Sequence, residues 1–132
     1  MKRKAVFIVE GLKDEDQIHK AFEGNENVIT LVTEGTKINN RIRLEIESYL
    51  RKNIDVYIMS DPDEAGGQLA DMIQSWYPVI PRIEVDTKEC AYFTGKRYKA
   101  GIEYASYGYL KELLSPYIGE HYERPKSPIC WD

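Results

Sequence analysis

Two cysteines in 132 residues are too few for a disulfide framework. Cys90 and Cys130 form no C-x-x-C pair and have no metal-type spacing to the two histidines, His19 and His121, so a Cys/His zinc site is not supported. The expected compartment is a reducing, cytoplasmic one. Long hydrophobic runs are also missing. Met1-Lys2-Arg3-Lys4 has the charge of a secretory leader, but the apolar run after it ends at Glu10, too short for a leader core or a membrane span. No membrane association is expected. Nor is there a surplus of positive charge: 18 Lys and Arg stand against 22 Asp and Glu, for a net charge of −4. That argues against coating nucleic acid through bulk charge and leaves room for a local basic groove. Repeats and low-complexity segments are absent. What remains, 42% hydrophobic and 30% charged residues, fits one globular domain, expected over residues 1–118, with a loose tail over 119–132 that holds Pro125 and Pro128.

The pattern alternates strands and helices. Ala5 to Val9 is a continuous apolar run, read as a strand buried on both faces, and it stops at Glu10-Gly11. Asp14, Glu15 and Asp16 then suit a first helical turn, with Ile18, Ala21 and Phe22 as its apolar face. Val28–Val32 is a second strand. A turn at Thr33-Glu34-Gly35-Thr36 leads to a helix through Ile38, Ile42, Ile46, Tyr49 and Leu50. Val56 to Met59 is a third strand, followed by helical spacing at Ala65, Leu69, Met72, Ile73 and Trp76. Val79 to Val85, bounded by prolines, predicts a fourth strand near an edge. Residues 86–100 read as irregular, and Ser106 opens a last helix through Leu114, stopped by Pro116. This order predicts an α/β fold, Rossmann-like, with a mainly parallel four-stranded sheet flanked by helices.

Such a sheet gathers the carboxyl ends of its strands along one edge, so Glu10 from strand one and Asp61 and Asp63 from strand three are expected to converge. Their oxygens suit Mg²⁺ or Mn²⁺ rather than zinc. Without a cation the cluster would repel itself and raise at least one carboxyl pKa. The plainer alternative is that Asp61 closes the strand and Asp63 caps the helix. Gly66 and Gly67, each unfavourable by ~1 kcal/mol in a helix relative to Ala, point to close backbone approach. Lys96, Arg97 and Lys99, interleaved with Tyr92, Phe93 and Tyr98, are candidates for phosphate contact and base stacking, or an ordinary surface loop. Lys37 and Arg41 begin the second helix near the same edge. Receiver-like and haloacid-dehalogenase-like folds also place Asp at strand ends, but those phosphatases need Asp after the first strand, where this chain has Glu10.

Val9-Glu10-Gly11 after one strand and Ser60-Asp61-Pro62-Asp63-Glu64-Ala65-Gly66 after another resemble the paired signature of the TOPRIM domain, shared by topoisomerases, bacterial primases and several nucleases. Within that superfamily the sequence is most similar to the small branch around ribonuclease M-five, which matures ribosomal RNA precursors. Thr33-Glu34-Gly35-Thr36, the Asp-Pro-Asp triplet and Lys99 to Ser106 carry that likeness, which spans roughly residues 4–115. The resemblance implies acid–base or metal work for Glu10 and Mg²⁺ binding by Asp61 and Asp63, with Gly11, Glu34, Gly35, Gly66 and Glu103 as accessory positions. It implies a small nuclease acting on RNA or DNA, or else a non-catalytic nucleic-acid-binding adaptor. The chain departs from the pattern at three points. Leu12 follows Glu-Gly where the family often has Lys, leaving Lys13 for that role; Tyr104 stands where the branch is expected to carry His; and the ribonuclease adds an RNA-recognising domain, so a protein partner is expected to supply recognition here.

Overall fold

The structure, a computed structural model, describes residues 3–35 and 37–124. The expectations for Met1-Lys2, Thr36, Pro125, Pro128 and Cys130 lie outside the described residues. Strand β1 (Ala5–Val9) is buried throughout and occupies the centre of a parallel sheet, between β2 (Val28–Val32) and β3 (Asp55–Ile58). Its alternation decides the layering. Ala5, Phe7 and Val9 face one apolar cluster with Ile18 and Ala21 of helix α1 (Leu12–Phe22) and Leu110 and Leu114 of helix α4 (Tyr107–Leu114). Val6 and Ile8 face the other, with Ile42 and Ile46 of helix α2 (Asn40–Arg51) and Leu69, Ala70 and Ile73 of helix α3 (Glu64–Trp76). A strand with helices on both faces has no polar side to show, which is why its sequence is apolar without interruption.

The order β2-β1-β3 puts a topological switch between β1 and β3, and in open α/β sheets the crevice at such a switch is where ligands bind. Helices start at defined caps: Asn39 accepts from the Ile42 N–H at 3.0 Å, Asp63 from Gly66 at 2.7 Å, and Ser106 from Tyr109 at 3.1 Å.

The fold differs from the sequence expectation in three places. The fourth strand is not a strand among the described residues: Val79 to Val85 contributes one parallel bridge, Ile58 to Arg82, through Ile58 N to Pro81 O at 2.9 Å and Ile83 N to Ile58 O at 2.8 Å. Pro78 and Pro81 have no N–H to extend a ladder. Residues 91–100 instead form a two-stranded antiparallel hairpin, β4 (Ala91–Phe93) with β5 (Tyr98–Ala100), whose short strands are too brief for a periodic signal. Finally, α3 is rotated from the expected stripe. Gly66, Leu69, Ala70 and Ile73 are buried, Ala65 is exposed, and Trp76 lies half outside under the Arg43 guanidinium, 4.4 Å from its ring centroid. Of the expected tail, residues 119–124 are described, and Arg124 pairs with Glu89 at 3.2 Å and Glu112 at 3.1 Å.

Gly66 explains the rotation. A Cβ there would stand 2.0 Å from the Asp61 carbonyl oxygen, whereas a Cβ on Gly67 would meet nothing nearer than the Arg82 guanidinium at 3.7 Å. Helix α3 therefore presses its first turn on the Asp61 backbone through a position that holds no side chain. Gly66→Ala is expected to destabilise by about 1–3 kcal/mol or more despite Ala's better helix propensity. Gly67→Ala should range from neutral to ~1 kcal/mol more stable. Urea denaturation of both variants checks this, and equal stabilities would refute the close-packing account.

Candidate functional site

The acids meet at the carboxyl edge of β1 and β3. Glu10, the residue after β1, accepts the Asp61 backbone N–H on Oε2 at 2.6 Å, which bridges the two strand ends. Asp61 Oδ1 in turn accepts the Ile102 N–H at 2.9 Å, and the Asp61 carbonyl takes the Asp63 N–H at 2.8 Å in a tight turn over Pro62. Asp63 is exposed and spends Oδ1 on capping α3 through Gly66. Both the metal-facing and the capping expectation for Asp63 thus start from a carboxylate already engaged at a helix start.

Asp14 is the residue that sequence reasoning missed. Read as one more first-turn acid, it is buried, with Oδ2 accepting from Gly11 N at 3.1 Å and Oδ1 from Glu103 N at 3.0 Å. Its place three residues after the Gly11 cap was the available signal, because a carboxylate there turns back toward the cap. Arg82 was also missed: its guanidinium donates to the Asp61 carbonyl at 3.0 Å and supplies a cation beside the start of α3. No motif marked it.

Electrostatics follow from the crowding. Burial raises the Glu10 carboxyl to about 7, with Asp61, Asp63 and Asp14 adding repulsion against the opposing hydrogen bond from Asp61 N. Asp14 is raised to about 6 by burial and then by Asp61. Asp61 is raised by burial, with further repulsion from Asp63 and Glu103. The buried Cys90 thiol is pushed up to about 12 by burial and then by Asp61, which makes it inert as a nucleophile.

Other expected residues take separate places. Glu103 joins the cluster, and Lys13, 87% exposed, lies 4.0 Å from it. Gly11 caps α1, and Gly35 (φ 118°) donates its N–H to the Glu10 carbonyl at 3.0 Å, so the Glu34-Gly35 turn rests on the backbone of Glu10 while the Glu34 side chain is exposed. Arg41, in the first turn of α2, is tied to Glu45 at 2.6 Å, whereas Lys37 is exposed and does not begin that helix as expected, because the Asn39 cap starts it two residues later. Lys96, Arg97 and Lys99 stand on the β4–β5 hairpin, exposed and outside the acid cluster. Two cavities of about 480 Å³ open elsewhere, one beside α4 at Phe22, Lys111 and Tyr122, the other at the amino ends of the strands by Asp55 and Val79.

A Toprim domain family model matches residues 5–89, which span both strand ends that carry Glu10 and Asp61. The chain belongs to the TOPRIM domain family. The solved small TOPRIM domain protein from Bacillus stearothermophilus is similar over 86% of this chain and 88% of its own, at 25% identity and a TM-score of 0.64. No curated protein matches. TOPRIM domains are associated with Mg²⁺-dependent nucleic-acid enzymes and typically bind the ion through acidic residues. No described helix of this TOPRIM chain is long and apolar enough to cross a membrane.

Among the described residues no three His, Cys, Asp or Glu side chains stand ready as a metal-ligating group. The donor chemistry nevertheless fits a hydrated hard cation: every candidate is a carboxylate, the carboxylates raise one another's proton affinity, and Mg²⁺ keeps several of its waters, needing only one or two direct carboxylates. Protonation is the cluster's other relief. Glu10 and Asp14 bind protons more tightly folded than unfolded, so their contribution to stability is greatest at acidic pH and is lost as pH rises through about 6 to 7. Denaturant unfolding at pH 5 and 7.5, without divalent ions, is expected to show lower stability at 7.5. Glu10→Gln, which keeps an acceptor for Asp61 N but cannot ionise, should flatten that dependence; an unchanged slope would contradict the assignment.

Proposed function

We propose that this TOPRIM domain carries out Mg²⁺-dependent phosphodiester chemistry on nucleic acid as a small cytoplasmic nuclease similar to ribonuclease M-five, with residues 1–118 as the working domain. The observation that carries the reading is the Glu10–Asp61 pair, two carboxylates joined across the β1/β3 switch with Glu10 raised to about 7, where it can both accept and return a proton near neutral pH. Asp61 and Asp63 are the residues to hold Mg²⁺ or Mn²⁺, with Glu10 sharing it or moving the proton. Bound there, the ion would neutralise charge developing on the scissile phosphate. The chain's own groups do the rest. Asp61, fixed through its backbone and Oδ1, sets the position of the carboxylate pair. Arg82 lies where a phosphate oxygen held against the start of α3 meets a guanidinium. Gly11, Glu34, Gly35, Gly66 and Glu103 shape the rim, and Lys13, Lys37, Arg41, Lys96, Arg97 and Lys99 hold the flanking backbone.

A second reading has its own support. Asp63 commits one carboxylate oxygen to capping α3, which favours a nucleic-acid-binding adaptor that works with a protein partner. A cleavage screen separates the two. Purified protein with Mg²⁺ or Mn²⁺ against single- and double-stranded RNA and DNA should show turnover that EDTA abolishes. Glu10→Gln is expected to cut turnover by roughly 10²–10⁴-fold while binding persists. Binding with no cleavage in any metal would establish the adaptor reading, and cleavage indifferent to Glu10→Gln would identify a contaminant.

A further inference from the structure

The β4–β5 hairpin contributes little to either apolar core. Tyr92, Phe93 and Tyr98 are 54%, 53% and 73% exposed, an unusual density of free aromatic surface for two strands of three residues. Register sorts them onto two faces. Phe93 opposes Tyr98, their ring centroids 4.9 Å apart at a tilt of 48°, while Tyr92 opposes Lys99 and stacks on Tyr104 at 5.2 Å with planes 16° apart. The loop is Gly95-Lys96, with Gly95 at φ 96°, and it is closed by Thr94 N to Arg97 O at 2.9 Å. Residues 91–100 hold three cations and no acid, in a chain whose net charge is −4.

The hairpin is also wired to the acidic edge. Gly101 N donates to the Cys90 carbonyl at 3.0 Å, which closes its base, and the next residue, Ile102, donates to Asp61 Oδ1. Lys99 is thus three residues, at most ~11 Å of extended chain, from a contact with the candidate catalytic carboxylate. A strand of nucleic acid lying on the hairpin would bring a phosphate to that edge.

We infer that the β4–β5 hairpin is a stacking arm for single-stranded nucleic acid, holding bases on Phe93 and Tyr98 and backbone phosphates on Lys96, Arg97 and Lys99. This rests on the nucleic-acid reading above and narrows its substrate class. Charge complementarity selects a polyanion, and exposed ring faces select unpaired bases, because a duplex keeps its base faces stacked inside and offers the hairpin only phosphates. Rings already in contact with each other, tilted at 48°, give a platform partly ordered before binding.

Fluorescence anisotropy on the full chain tests the assignment, using labelled 12-nucleotide single-stranded RNA, single-stranded DNA and the matching duplexes, with EDTA and with Mg²⁺. Single strands should bind at least about tenfold tighter than duplexes, and the two single-stranded arms tell RNA from DNA. The double variant Phe93→Ala/Tyr98→Ala should lose roughly tenfold or more of single-strand affinity with its melting temperature unchanged, since both rings are more than half exposed. Lys96→Ala/Arg97→Ala, which leaves the rings in place, should flatten the salt dependence by about one unit of slope per lost contact. Oligonucleotide binding that survives the aromatic double variant, or a preference for duplex, would overturn the stacking arm and leave the nuclease reading intact. No binding to any oligonucleotide would remove both. If sedimentation showed a dimer that the aromatic variant dissociates, the patch would be a contact between copies of the chain instead.

Discussion

Asp61 ties four separate segments of the chain to one point. Its N–H donates to Glu10 at the end of β1, its carbonyl accepts from Arg82 in the bridge segment and from Asp63 at the head of α3, and its carboxylate accepts from Ile102 beyond the hairpin. None of these partners is near it in sequence except Asp63. The strand order makes the convergence possible, because only with β1 central do the ends of β1 and β3 lie side by side at a switch. Gly66 makes it tight. With hydrogen at that position the first turn of α3 settles on the Asp61 carbonyl.

The arrangement sets stability against function. Acids brought together and partly dehydrated disfavour their own ionised forms, and the raised Glu10 and Asp14 carboxyls record that cost. A structure selected only for stability would have replaced one of them. Backbone donors offset part of the repulsion: Gly11 and Glu103 serve Asp14, Ile102 serves Asp61, and Asp61 serves Glu10. Each such bond fixes an oxygen without neutralising it, so the charge remains available to an external cation or proton.

The elements legible in the sequence were those whose signal is side-chain hydrophobicity. β1 and β2 have the expected bounds because uninterrupted apolar runs admit few other readings, and the Ser106 cap marked the start of α4. The misses share a cause. The face of α3 turned because Gly66 has no hydrophobicity to register, yet is buried by a backbone contact. Asp14 looked like an ordinary first-turn acid because its second partner, Glu103 N, is 89 residues away. Val79 to Val85 has strand composition, but pairing depends on N–H groups, and Pro81 in its middle has none to give. The hairpin is held by its turn and by Tyr104, neither of which imposes a period on three-residue strands. In the site, residue types were readable and their engagement was not: Glu10 and Asp61 bond across strands, whereas Asp63 is held within its own helix.

Net charge is a poor guide to what such a surface can hold. Exposed charges more than about 8 Å apart are largely screened at physiological ionic strength, so an approaching strand responds to the nearest few groups rather than to the total of −4. Acids occupy the sheet edge, where burial and mutual repulsion raise their affinity for protons, and the cations of residues 96–99 project on an exposed hairpin joined to that edge through Gly101 and Ile102. A polyanion held first by the hairpin would carry its neighbouring phosphate toward carboxylates that repel it until a cation or proton intervenes. On the proposed reading the acidic cluster would act as a condition on binding: it would admit the phosphate only when a proton or a divalent cation had neutralised its own charge.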